Sequence, residues 1–312
     1  MTFVRIVKDR CSRALQRLRW TSWIWPVCWL LPVLLCITNV YVCKEATFAR
    51  KIQAISISDR AILEAFFRVL MLKEGGAYVL FGNKPVAFTS FSHSLHEHMG
   101  APQMRRYERE NKLIKEGWET WKKYAPSFHS SRFILECRTH NNGREEICLI
   151  DQERYEQVIK DNLRDFQGVL GDETTPEILL KKYRSGNKTL FQTLHEHQAL
   201  LGIVLGFGTE NSWLFHEHTS MRYDDPNLIP DRPFKQIRSM PAALNQHKLK
   251  GIFNEKNHRK CVKFLHLPYF LADPNSEETR VLRAQYLQQQ QAIQEAYAHG
   301  HFLEVTLKKF CL

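Results

Sequence analysis

The chain has 312 residues, 44% of them apolar, 12% aromatic and 25% charged, with 44 Lys and Arg against 33 Asp and Glu for a formal net charge of +11. That apolar and aromatic content excludes a disordered or collagen-like chain, and the length allows one large domain or two small ones. The positive excess points to nucleic acid only where it is concentrated on a folded surface.

Residues 1–19 read as a basic cytoplasmic tail, in which Arg5, Lys8, Arg10, Arg13, Arg17 and Arg19 face a single acid, Asp9. Residues 20–43 form a run of 24 without a charged side chain. A helix needs about 20 predominantly apolar residues to cross a bilayer, so this run is predicted to be a transmembrane helix with the lipid bilayer as its partner. Trp20, Trp23, Trp25 and Trp29 suit the headgroup boundary, where the ring is half buried and its N–H stays wet. Pro26 and Pro32 are better tolerated in a membrane helix, where neighbouring groups satisfy the freed carbonyls. A cleaved signal peptide has a shorter apolar core and a small-residue cleavage step. Here the run ends in Val42-Cys43-Lys44-Glu45, and Leu35 and Val42 precede Cys36 and Cys43 where a lipoprotein site needs a small residue. The expectation is an uncleaved signal-anchor.

Six basic residues before the span outweigh Lys44, Arg50, Lys51 and Arg60 after it, which favours a cytoplasmic N-terminus and a main domain across the membrane. Residues 44–312 hold 38 Lys and Arg against 32 Asp and Glu. That mixture is an ordinary solvated surface, so nucleic acid is not an expected partner. The basic leader is a topology signal that can touch anionic lipid.

Residues 44–57 read as a linker and residues 58–312 as one domain. Ser58-Asp59 can cap a helix running to about residue 73 and stopped by Gly75-Gly76. Residues 77–81 read as a strand, residues 82–85 as a turn and residues 86–91 as a returning strand. A charged helix is predicted over 104–124. Residues 133–139 and 144–150 then read as a hairpin around Asn142-Gly143, a strong turn signal. With a two-residue loop, Asn141 faces Arg144 and Cys137 faces Cys148. Two readings follow: a pair of small apolar residues side by side, or a cross-strand disulfide.

Asp151 is placed to cap a helix over 153–170 that Gly171 ends. Thr175-Pro176-Glu177 starts another, with proline at a tolerated first-turn position. Residues 188–205 read as one long apolar helix, and Thr209 as the cap of the next. Residues 224–257 read as loops with short strands, residues 261–267 as a strand, and residues 275–299 as a helix with Asn275 and Glu278 at capping-box spacing. A final short element carries Phe302, Val305, Leu307 and Phe310. Helices outnumber strands and the strands come as hairpins. The predicted fold is therefore α+β: an N-terminal transmembrane helix, then a mainly helical domain with small antiparallel hairpins.

Three His-Glu-His tripeptides are the candidate chemistry: His96 to His98, His195 to His197 and His216 to His218. His and Glu serve as metal ligands and as general acid/base groups, so a membrane-tethered hydrolase or metal-dependent enzyme is the rival to a binding or structural role. The zincin arrangement needs His at i and i+4, and no HExxH occurs here. On a helix, i and i+2 lie about 200° apart, so His195 and His197 do not chelate together there. On a strand, His96 and His98 share a face. A site would draw one His from each tripeptide. The bland reading is polar helix-edge residues, and no metal or cofactor is expected. Gly202, Gly206 and Gly208 lack the Lys of a P-loop and the strand of a dinucleotide fingerprint, and read as packing and helix-end glycines. Asp224-Asp225 reads as a turn rather than a metal-nucleotide site, since no D-x-D is present.

Three stretches, GGAYVLFGNKPVAF from Gly75, LLGIVLGFGTENSWLF from Leu200, and LADPNSEETRVLRAQY from Leu271 with HFLEVTLKKF from His301, together resemble a family of uncharacterised hypothetical proteins from Chlamydia-like and Legionella-like intracellular bacteria. The family has no assigned activity, so the resemblance implies no catalytic residue. It implies a bacterial envelope setting, which makes the far side of the membrane the periplasm. With the single span read above, the expectation is an inner-membrane, single-pass protein with a periplasmic domain, and a protein partner is a separate expectation for that domain. Secretion and insertion into a host membrane is the alternative.

Overall fold

The computed structural model describes residues 45–92, 101–141, 143–224, 235–237, 261–268 and 270–312. The chain divides into two units, residues 1–54 and 55–312. The described part of the first unit is helical over residues 45–53. Among the described residues no helix is long and apolar enough to cross a membrane, and the run 20–43 lies outside them.

The second unit begins where the Ser56 side chain accepts the Asp59 N–H at 3.1 Å, starting helix α1 (Ile57–Arg68). A cap of this kind stabilises a helix by about 1 kcal/mol. The cap lies two residues before the predicted Ser58. α1 passes into a π turn over Val69–Lys73, whose Val69, Leu70, Met71 and Leu72 are all buried. Gly75, at φ 80, then starts α2 (Gly76–Leu80), where a strand was predicted. A five-residue apolar run has no period to separate strand from helix, and the left-handed glycine decides it.

β1 (Val86–Ser92), β2 (Phe133–Thr139) and β3 (Arg144–Asp151) form an antiparallel sheet with β3 in the centre. The long helix α3 (Ala101–Tyr124) lies between β1 and β2 in the chain. The β2–β3 hairpin closes through His140 N–H to the Arg144 carbonyl at 2.7 Å and Gly143 N–H to the His140 carbonyl at 2.9 Å, with Gly143 at φ 77. This is a three-residue loop with a left-handed glycine, not the expected two-residue loop. Cys137 therefore pairs with Ile147, and Cys148 with Glu136. A slip of one residue moves a side chain to the other face. Cys137 and Cys148 lie on opposite faces as free thiols, which corrects the expectation that they face each other, as an apolar pair or as a disulfide.

The two faces meet different helices. Val86, Ile134, Cys148 and Ile150 join a core with α4 (Gln152–Asp161), α5 (Leu163–Leu170), α6 (Pro176–Ser185), α7 (Leu190–Thr193) and α8 (Gln198–Val204). On the other face Phe133 stacks on Phe310, and Phe310 meets Trp121, which also contacts Phe67 and Phe128. Helix α9 (Thr209–Asp224) follows α8. β4 (Lys235–Ile237) pairs with β5 (Phe270–Ala272), and α10 (Glu277–Ala298) and α11 (Phe302–Phe310) end the chain. The architecture is α+β, mostly helical with a small antiparallel sheet.

Two predicted helices are each divided. The segment 153–170 breaks at Asn162, whose side-chain amide donates to the Val158 carbonyl at 2.7 Å. The segment 188–205 breaks between α7 and α8, where His195 and Glu196 both adopt left-handed backbone at φ 52 and 61. Residues 261–264 form a 3-10 turn rather than a strand.

Candidate functional site

The structure brings together one histidine from each of two tripeptides. His197 occupies the N-cap position of α8, with no side-chain capping bond. His216 lies on α9. Their rings stack with centroids 4.1 Å apart and planes 29° apart. Trp213, three residues before His216, meets both edge-on, at 5.3 Å from His197 and 5.8 Å from His216. Its indole N–H donates to Asp165 on α5 at 3.2 Å. Close approach of the two helices sets this up: a Cβ at Gly202 would lie 2.5 Å from the Ser212 hydroxyl oxygen. Burial, then the neighbouring His216, lowers the His197 pKa from its ordinary value.

His195 and Glu196 are exposed, while His218 is half-buried on α9 two residues beyond His216. His96 and His98 lie outside the described residues. Among the described residues no group of three His, Cys, Asp or Glu side chains is placed to hold a metal ion. The stack offers two histidine rings, where a catalytic zinc usually has three protein ligands.

Two buried acids, Asp151 and Glu146, are engaged in contacts within the fold. Asp151 is fully buried, caps α4 through the Arg154 N–H at 3.3 Å, and accepts from the Arg132 guanidinium at 2.6 Å; Arg154 Nε lies 2.9 Å away. Glu146 accepts the Leu190 N–H at 3.2 Å and the Cys148 thiol at 3.3 Å, and lies 3.3 Å from His140. This Cys–Glu–His cluster resembles a nucleophile with its base, but burial and then Glu146 push the Cys148 thiol well up. A reactive cysteine needs its thiolate favoured. Burial and Glu145 push the Cys137 thiol up as well.

Gly206 and Gly208, at φ 75 and 89, turn the chain from α8 into α9. The bare N–H groups at the start of α9 would attract an anion. Glu278 from α10 meets them, accepting from Thr209 N–H at 2.7 Å, Glu210 N–H at 3.3 Å and Asn211 N–H at 2.9 Å. A carboxylate of the chain itself thus fills the place a phosphate would take. Lys84 is the group that sequence reading missed. It is 3% exposed, its ammonium nitrogen donates to the Val86 carbonyl and lies 5.4 Å from the Phe207 ring centroid. Burial draws its pKa down from 10.5 to about 7. No sequence signal marks it, because a Lys before Pro85 reads as a turn residue.

Comparison with protein-family models, curated proteins and solved structures finds no match for this chain.

Proposed function

We propose that the protein is a single-span, membrane-anchored envelope protein whose α+β domain acts by binding or as a structural part rather than by catalysis. The observation that carries this reading is the uncharged run 20–43 behind six basic residues, which has the length and flanking charge of an anchor. The domain contributes supporting detail: its buried acids are engaged in capping and ion pairing, and its strand thiols are disfavoured as thiolates.

The rival, a metal-dependent enzyme on the His-Glu-His segments, draws on the His197–His216 contact. Two histidines fall short of the three protein ligands usual at a catalytic zinc. Alkaline carbonate extraction of membranes from expressing cells tests the proposal. The full chain should stay in the membrane pellet, and a chain lacking residues 20–43 should appear in the supernatant. Release of the full chain by carbonate would overturn the anchor. Zinc, iron or manganese near one per purified chain, lost on His216→Asn, would overturn the non-catalytic reading.

A further inference from the structure

We propose that the His197–His216 stack is a proton-operated latch, which holds the α7–α8 segment on α9 while both rings are neutral and releases it when they are protonated. This goes beyond the anchoring proposal and does not depend on it.

The first ground is hydrogen-bond accounting. The Nδ1 atoms of His197 and His216 are both buried, and neither has a hydrogen-bond partner among the described residues. A neutral imidazole can leave one nitrogen as a bare acceptor, whereas an imidazolium must donate from both. Protonation in the stacked state therefore strands a buried N–H on each ring. The second ground is Coulombic. Rings 4.1 Å apart cannot both carry charge without repulsion, and Trp213 packs edge-on against both. The lowered His197 pKa has the direction this requires.

The third ground is the backbone beside the ring. His195 and Glu196 stand consecutively in the left-handed region, where non-glycine residues persist only under constraint from their surroundings. Among the described residues, His197 next to them packs on His216 and Trp213, so unstacking would free the segment to relax. The hydrogen bonds that would yield are local: Glu196 N–H to the Phe191 carbonyl at 2.9 Å and His197 N–H to the Leu194 carbonyl at 3.1 Å.

The titratable groups on the elements packed here do not replace the missing partners. Asp165 on α5 is engaged by the Trp213 indole, and Glu278 on α10 by the first amides of α9. On the pair's own segments stand His195, Glu196, Glu217 and His218, and the ring that neighbours His197 is that of His216.

Hydrogen–deuterium exchange of the full chain, corrected for intrinsic rate, tests the latch near pH 7.5 and near pH 4.5, the lower point set beneath the ordinary histidine range because His197 is shifted down. The expected result is a local loss of protection of about tenfold or more at residues 194–201 at the lower pH, with the β-sheet unchanged. His216→Asn should make protection there independent of pH while the sheet keeps its wild-type protection. Unchanged protection of 194–201 in the wild-type chain would overturn the proposal. So would a uniform loss across the domain, which is global acid unfolding. Because the wild-type chain alone decides these outcomes, the test survives a variant that fails to fold.

Discussion

Replacing Lys84 by Met should stabilise the domain near neutrality and flatten its pH dependence. The Lys84 side chain lies in the interior with the Val86 carbonyl as acceptor and the Phe207 ring beside it. Burial holds its pKa at about 7, while the unfolded chain restores the ordinary 10.5. Between those values the unfolded state binds the proton more tightly, so stability rises with pH across the window and the charging penalty is complete below it. At about 1.4 kcal/mol for each tenfold change in proton affinity, the full penalty is on the order of 5 kcal/mol. Between pH 7 and pH 9 the expected gain in stability is roughly 2 kcal/mol. Methionine fills a similar volume without charge, at the cost of one hydrogen bond worth about 1 kcal/mol. Lys84→Met should therefore gain about 1–3 kcal/mol at pH 7, and less as pH rises. Urea denaturation of both proteins at pH 7, 8 and 9, followed by circular dichroism, reads this directly. Taking the difference between the two proteins cancels the other titrating groups. A wild-type-like slope in the variant, or a large loss of stability at pH 7, would refute a buried, charge-averse lysine.

Three further outcomes follow from the same interior. Glu278→Gln should lower stability by about 1–2 kcal/mol, because the charge on the α9 N-terminus is lost while the shape is kept; thermal unfolding reads it, and an unchanged midpoint would contradict the cap. Tyr78, Tyr155, Tyr183, Tyr286 and Tyr297 are all raised above 10 by burial. A raised folded-state pKa contributes stability that is intact below pH 10 and lost above it, so phenolate absorbance from these five should appear only together with unfolding. Cys137 and Cys148 should stay unlinked under mild oxidation, as read by non-reducing peptide mapping; a 137–148 crosslink would show that the hairpin register is wrong.

The cap positions of α4 and α6 were legible because their signals are local. Asp151 and Thr175 accept from the N–H three residues on, and the chain announces this by residue type alone. The hairpin was legible and its register was not. Asn-Gly marks a turn but does not choose between loops of two and three residues, and that choice inverts which thiols face each other. The break between α7 and α8 carries no glycine or proline, so the apolar pattern runs through it unmarked. Glu278 sits three residues after Asn275 and reads as its capping partner, yet Ser276 caps α10 and Glu278 crosses to α9. Contacts between residues 68 apart leave no pattern in the sequence. Of the candidate site, the His-Glu-His repetition was visible, whereas the meeting of His197 with His216 depends on the Gly206–Gly208 turn folding α9 back along α8.

Protease digestion of intact spheroplasts carrying the full chain tests the proposed topology, an anchored chain with its domain across the membrane, most directly. An external protease should degrade the domain 55–312 without lysis and leave a short membrane-bound fragment bearing the N-terminus. A domain that resists protease from outside and is cut only after access to the cytoplasmic side would contradict the account.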